Sequence, residues 1–160
     1  MAKDYKPLDL LSKEQLKEIR EKKDWINVVS ISLNWLQIIA AMALFFYFPN
    51  VLTFLLSVIV IGSRQFALAV LAHDGAHNLL FSNEKINDFI SQWFCAFPLF
   101  SDNRPYRPYH LAHHRFTESE NDPDLSLSAP FPITKASFRR KVIRDLTGQT
   151  GFRRYSIALK

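Results

Sequence analysis

The sequence predicts an all-α membrane protein: a two-helix transmembrane hairpin with cytoplasmic helical extensions that carry two clusters of histidine. Three observations predict it. Two long apolar runs, 28–48 and 51–72, lie back to back around Pro49-Asn50. Lys and Arg crowd both ends of the chain, where a soluble globule would interleave charge with apolar residues throughout. All five histidines fall in "HDGAH" (73–77) and "HLAHHR" (110–115), each beside an apolar stretch. At 160 residues there is room for one domain. It divides into a cytoplasmic amphipathic N-terminus (1–27), the two spans, and a cytoplasmic or interfacial region (73–160).

Residues 8–24 are expected to form a short amphipathic surface helix. Leu8, Leu11, Leu16 and Ile19 share one stripe, and Ser12 with Gln15 has the form of a capping box. The polar residues preceding the first apolar run argue against a cleavable signal peptide. The run 28–48 carries no charge, and some 21 residues at 1.5 Å each span about 30 Å, enough for the hydrocarbon core of a bilayer. Pro49-Asn50 ends it, because both residues favour turns over helix. The run 51–72 returns. Seven Lys or Arg precede the pair and none lies in the connection. By the positive-inside rule both ends, and so both histidine clusters, face the cytoplasm.

Arg64 interrupts the second run, and a charge in mid-bilayer costs at least about 2.5 kcal/mol. Either Arg64 reaches the cytoplasmic headgroups, with the helix continuing as "QFALAVLAHDGAHNLLF", or it stays deeper and is satisfied by Asn34 or Gln37. Residues 86–100 are apolar but too short to cross, and with Pro98 inside they fit an interfacial or re-entrant segment. The steps Arg104-Pro105 and Arg107-Pro108 predict extended chain, with a helix from about Pro108. The basic tail "FRRKVIRDLTGQTGFRRY" suits a surface helix on anionic lipid, stopped at Gly148. The net charge of +5 therefore points to a membrane surface, not to nucleic acid, for which no recognisable module is present.

The lone Cys95 excludes an internal disulfide and a cysteine-based zinc site, and it reads as a small hydrophobe. Trp25, Trp35, Trp93 and Tyr47 read as interface anchors or lipid-facing packing. Arg104 and Arg107 read as solvated charges, and "NDPDL" as a turn.

On a helix, positions i, i+3 and i+4 share a face. His73 and His77 therefore project together, as do His110, His113 and His114, although His113 and His114 diverge enough to serve different centres. Two such sets, with no histidine elsewhere, predict a metal site. Imidazole suits Zn, Cu, Fe and Ni alike, so ligand type leaves the metal open. Asp74 points about 100° from His73 and is placed to support a ligand, not to be one.

The arrangement resembles the membrane fatty acid desaturase family, within the larger group of integral-membrane di-iron desaturases and hydroxylases. The resemblance rests on the two spans, "HDGAH" as an HxxxH box, the short apolar segment, "HLAHHR" as an HxxHH box, and the following "TESENDPDL". It implies that His73, His77, His110, His113 and His114 bind iron in a di-iron site. It implies O₂ as co-substrate, electrons from a ferredoxin or a small b-type cytochrome, and a double bond introduced into an acyl chain. Breaking an alkyl C–H bond needs a redox-active metal, which zinc is not. The HxxxH spacing looks more like the bacterial and lipid-linked branches than the acyl-CoA branch. Asp122 or Asp124 would orient a histidine.

The family's third histidine box and second pair of spans are not in these 160 residues. The expectation is therefore an N-terminal portion of a longer product, or a truncated relative, inactive by itself. The alternatives are a hydroxylase or ketolase of the same superfamily, acting on alkanes, sterols or carotenoids, and a non-catalytic metal-binding membrane fragment.

Overall fold

The computed structural model describes residues 10–158, and all regular structure among them is helical. In chain order the α-helices are α1 (Lys13–Ile19), α2 (Asp24–Tyr47), α3 (Val51–Ala76), α4 (Glu84–Ile90), α5 (Asn103–Phe116), α6 (Leu125–Ser128), α7 (Lys135–Leu146) and α8 (Gln149–Ala158). A π-helical stretch, Ser91–Ala96, and a 3₁₀ turn, Phe97–Leu99, follow α4 without a break.

The capping box at Ser12 forms as the sequence predicts: its Oγ accepts from the Gln15 N–H while the Gln15 side chain accepts from the Ser12 N–H. The helix it starts is shorter than 8–24, however, and ends at Ile19, which is 68% exposed. Leu8 lies outside the described residues. The next helix begins at Asp24, earlier than residue 28, and there the Asp24 carboxylate accepts from the backbone N–H and the hydroxyl of Ser82.

Helices α2 and α3 have 24 and 26 residues, about 36 and 39 Å at 1.5 Å each, and are long and apolar enough to cross a membrane. Asn50 and Thr53 cap α3 reciprocally. The two helices pack side by side: Phe45 meets Phe54 edge to face, and the buried Ser57 hydroxyl donates to the Ala41 carbonyl at 2.8 Å. Such a bond stabilises the pair by about 1 kcal/mol net. Their outward faces stay apolar, with Leu36, Ile39, Leu52 and Ile59 exposed. Arg64 donates to the neighbouring Ser63 hydroxyl, and Asn34 turns back to its own helix at the Ser30 carbonyl. No hydrogen bond among the described residues joins Arg64 to Asn34 or Gln37.

The core gathers at the end of α3, where Leu68, Ala72, Leu80, Phe81, Cys95 and Ala96 pack with Ile31 and Ile38. Cys95 is buried there as a small hydrophobe, and burial pushes its thiol up to about 12. The segment 86–100 folds back against α3, tied to α2 by Trp35, whose Nε1 donates to the Phe94 carbonyl at 3.0 Å. Trp35 is thus an internal tether, whereas Trp25, Trp93 and Tyr47 are largely exposed.

The Arg-Pro steps do not hold the chain extended. Helix α5 begins at Asn103, five residues before Pro108, with Asp102 as its N-cap accepting from the Arg104 N–H. Pro105 sits in the first turn, where a missing N–H costs nothing, while Pro108 sacrifices one bond inside the helix. The basic tail is helical as expected and breaks at Gly148 (φ 75°), after which α8 resumes.

Candidate metal centre

The continuation of α3 past its apolar run carries His73 into the last turn and leaves His77 as the C-cap. The helix stops there, short of Phe81, because its last carbonyls have other partners and Asn78 turns left-handed (φ 57°). Asn87, fully buried, donates through Nδ2 to the Gly75 carbonyl at 2.9 Å, while its Oδ1 accepts from the N–H groups of Leu80 and Phe81. Gly75 is required at this contact. A Cβ there would stand 2.2 Å from the Ser91 Cβ.

Helix α5 is latched onto this end of α3. Asn103 Nδ2 donates to the Ala72 carbonyl at 2.9 Å, Arg107 Nε to the Ala76 carbonyl at 3.0 Å, and an Arg107 terminal nitrogen to the Gly75 carbonyl at 3.1 Å and to Asp88. A guanidinium at a helix C-terminus also meets the negative end of its dipole. Arg107 is therefore a capping residue, not the solvated charge the sequence suggests. Arg104 does remain solvated, paired with Asp102 and three-quarters exposed. We expect Arg107→Gln to destabilise the protein by about 1–2 kcal/mol, given its partial exposure, as read from chemical denaturation.

Asn103, Arg107, His110 and His114 fall at i, i+4, i+7 and i+11, one stripe of α5. The latch at its start therefore aims the histidines at its end. His73, His77, His110 and His114 come together, each offering a ring nitrogen, all within 4.8 Å of one another. Their rings pack edge to face at centroid separations of 4.5–4.9 Å, and Tyr106 stacks on His110 at 5.0 Å.

His110 Nε2 faces two ring nitrogens at once, His77 Nε2 at 2.9 Å and His114 Nε2 at 3.0 Å. A neutral imidazole carries one N–H, so His110 Nε2 can donate to at most one of them. A cation held by the ring nitrogens would satisfy all three. Burial, reinforced by the neighbouring histidines, pulls His110 down to about 4 and lowers His77 as well, which keeps both as free bases at neutral pH. Asp74 takes the predicted supporting place, its Oδ1 3.2 Å from His73 Nδ1.

His113 stands outside the group of four, as its divergence from His114 predicts. Its Nδ1 lies 2.8 Å from Asp122 Oδ1, and since a carboxylate only accepts, Nδ1 carries the proton and Nε2 is left with a lone pair. Asp122 is buried and held by the N–H groups of Glu118 and Asp124, while Asp124 accepts from the Tyr109 hydroxyl. "NDPDL" is thus a turn that also positions a histidine. The hydrogen bond to Asp122 raises the His113 pKa, and the same bond lowers that of Asp122. The pair's contribution to stability is lost as pH rises through the raised His113 value, and again as pH falls through the lowered Asp122 value. Asp122→Asn is expected to return His113 toward 6.5, as measured by NMR titration of its ring protons.

Spacing marked the five histidines and the family resemblance added Asp122 or Asp124, but both missed Arg107, Asn103, Asn87, Gly75 and Tyr106. The seven-residue step from Asn103 to His110, with Arg107 between, was the one signal available for the latch.

The fold and site define a helical protein with two apolar helices of membrane-spanning length and a four-histidine cluster, able to hold a metal, at the end of one of them. Residues 49–160 match the model of the family described as Fatty acid desaturase, and the chain belongs to that family. It is 40% identical over 72 residues to the dihydrorhizobitoxine desaturase of Bradyrhizobium elkanii, a match covering 44% of this chain and 20% of that protein. It is 43% identical over 60 residues to the omega-3 fatty acid desaturase fat-1 of Caenorhabditis elegans, covering 37% of this chain and 14% of that protein. The matched region thus represents a fifth or less of either relative. No solved structure matches the chain.

Proposed function

We propose that this chain contributes two histidine boxes to the di-iron site of an O₂-dependent membrane desaturase. The observation that carries the reading is the convergence of four imidazoles from two helices, with His110 unable to satisfy both neighbours by hydrogen bonding. His73, His77, His110 and His114 form one ligand set, and His113, with Nδ1 committed to Asp122, offers Nε2 to the second iron. Bound iron, reduced by an external donor such as a ferredoxin or a b-type cytochrome, supplies the O₂ activation needed to take hydrogen from an unactivated methylene pair. The protein's own part is to hold the imidazoles as free bases, fix their ring orientations through Asp74 and Asp122, and stiffen the helix ends that carry them.

In this reading α2 and α3 form a transmembrane hairpin with both ends and both boxes on the cytoplasmic side, where the basic flanks belong. Lipid-borne acyl chains then reach the site from the membrane. The two relatives are both named as desaturases, which favours alkene formation over hydroxylation, but their names give different substrates. A second reading therefore keeps the desaturation and replaces the acyl chain with a smaller amphiphile, since the name of the Bradyrhizobium relative gives dihydrorhizobitoxine and not a fatty acid. The matched stretch is a fifth or less of either relative, and the 160 residues by themselves are expected to be inactive.

The test is product analysis with the complete gene product, iron, reductant and O₂, offering acyl lipids and small amphiphiles side by side. A new alkene in either supports desaturation and identifies the substrate class. An alcohol as the main product moves the protein to the hydroxylases, and product formation that is unchanged when iron is left out removes the reading altogether.

A further inference from the structure

The basic tail takes no part in the histidine cluster or the core. Residues 135–158 hold seven Lys or Arg against one acidic residue, Asp145, so this stretch alone accounts for the chain's net charge of +5. Asp145 is taken up by Lys141 at 2.6 Å and by the Thr150 hydroxyl. Among the described residues Lys135, Arg139, Arg140, Arg144 and Arg153 are exposed and make no ion pair. Apolar side chains lie beside these charges. Phe138, Val142 and Leu146 recur at i, i+4 and i+8, one stripe of α7, and Phe138 and Leu146 are 58% and 82% exposed. Phe152 on α8 is exposed as well.

Tyr155 fixes the height of this pair against α3. Its ring meets Phe100 edge to face at 5.8 Å, and it lines a cavity of about 400 Å³ together with Phe66, Ala69 and His73. Helix α7 packs against α8. The apolar run 51–72 is about 33 Å long, close to the roughly 30 Å of a hydrocarbon core, so its last turns stand where acyl chains give way to headgroups. The tail therefore meets the body at that boundary. A soluble acidic partner would match the cations but not the exposed Phe138, Leu146 and Phe152. The surface of an anionic bilayer takes both, the charge at the headgroups and the apolar stripe at the acyl boundary.

We propose that α7 and α8 form a docking surface for anionic lipid, with Lys135, Arg139 and Arg140 drawing the headgroups and Phe138, Leu146 and Phe152 entering the acyl boundary. Seated there, α8 holds Tyr155 as a wall of the cavity beside His73. The proposal rests on the membrane reading of α2 and α3, which incorporation into lipid tests separately.

The experiment uses the chain carrying Leu146→Cys, labelled with a polarity-sensitive nitrobenzoxadiazole dye, since the buried Cys95 lies out of a label's reach. The chain is placed in nanodiscs of phosphatidylcholine alone or with an equal part of phosphatidylglycerol. The dye's emission is expected to shift to the blue, and to be quenched by lipid brominated on its acyl chains, in the phosphatidylglycerol discs only. Lys135→Gln, Arg139→Gln and Arg140→Gln together, all at exposed positions, should return the emission to its phosphatidylcholine value. Native mass spectrometry of the unlabelled chain is expected to show phosphatidylglycerol retained about tenfold over phosphatidylcholine, what about one or two surface cations supply, and the triple variant should lose that preference. Identical emission in both discs overturns the proposal. Emission indifferent to phosphatidylglycerol but shifted by an added acidic ferredoxin assigns the surface to a protein partner and overturns it too. A chain that enters neither disc overturns the membrane reading, and the proposal with it.

Discussion

Replacing His110 by Ala is expected to abolish metal binding by the four-histidine cluster. His110 is the hinge of the group, since its Nε2 is the atom that both His77 and His114 face. Losing a residue that merely orients a ligand typically costs 10–100-fold in metal affinity, so losing the central ligand is expected to cost more than about 100-fold. Iron content after anaerobic loading, measured beside His113→Ala, checks it. The His113 variant retains the group of four and should keep that metal. Equal loss in both variants would mean that the four nitrogens do not act as one set.

The same residue sets an acid limit in the metal-free protein. Burial holds His110 at about 4, below the 6.5 expected of it when unfolded. Between those values the unfolded chain binds the extra proton, so stability falls as pH drops from about 6.5 toward 4. In His110→Ala that part of the acid sensitivity should disappear from the denaturation midpoints.

The second large effect is on the fold, and its sign runs against helix propensity. Gly75→Ala in the last turn of α3 would gain up to about 1 kcal/mol from propensity alone. The added Cβ, however, would stand 2.2 Å from the Cβ of Ser91 and 2.8 Å from its Oγ. The Ser91 Cβ is fixed to the π-helical backbone, so the segments must part, and overpacking of this kind costs about 1–3 kcal/mol. Separation here also strains the Asn87 bond to the Gly75 carbonyl, at 2.9 Å, and the two Arg107 bonds to the same turn. We expect net destabilisation of about 2 kcal/mol in denaturant titration, with metal affinity falling in parallel because His73 and His77 ride on this turn. Ser91→Gly in the same chain should restore most of it, a non-additivity that a double-mutant cycle reads directly. A neutral or stabilising Gly75→Ala would show that α3 and the π-helical segment do not meet this closely.

Composition and periodicity made the helices legible. Runs of apolar residues with Pro49-Asn50 between them leave the backbone few alternatives, and the ends of α2 and α3 fall within a few residues of where the pattern places them. Spacing also paired His73 with His77 and separated His113 from His114, because the 3.6-residue repeat fixes which side chains share a face. Local rules failed where a distant group intervened. Pro105 and Pro108 suggested extended chain before the second cluster, yet the Asp102 cap and the bonds of Asn103 and Arg107 to α3 outweigh one lost backbone bond. Arg107 looked like any surface cation because nothing near it in sequence shows that the Gly75 and Ala76 carbonyls lie within its reach.

The sequence by itself therefore determined the helical class, the two spans' worth of apolar chain, the five imidazoles and their division into sets. Those properties depend on neighbours within a turn or two. Tertiary structure decided which four nitrogens share one place, why α3 ends at His77, and why residue 75 has no side chain. Those depend on residues 12 (Gly75 and Asn87) to 41 (His73 and His114) positions apart meeting at one helix end, and no local periodicity encodes that meeting.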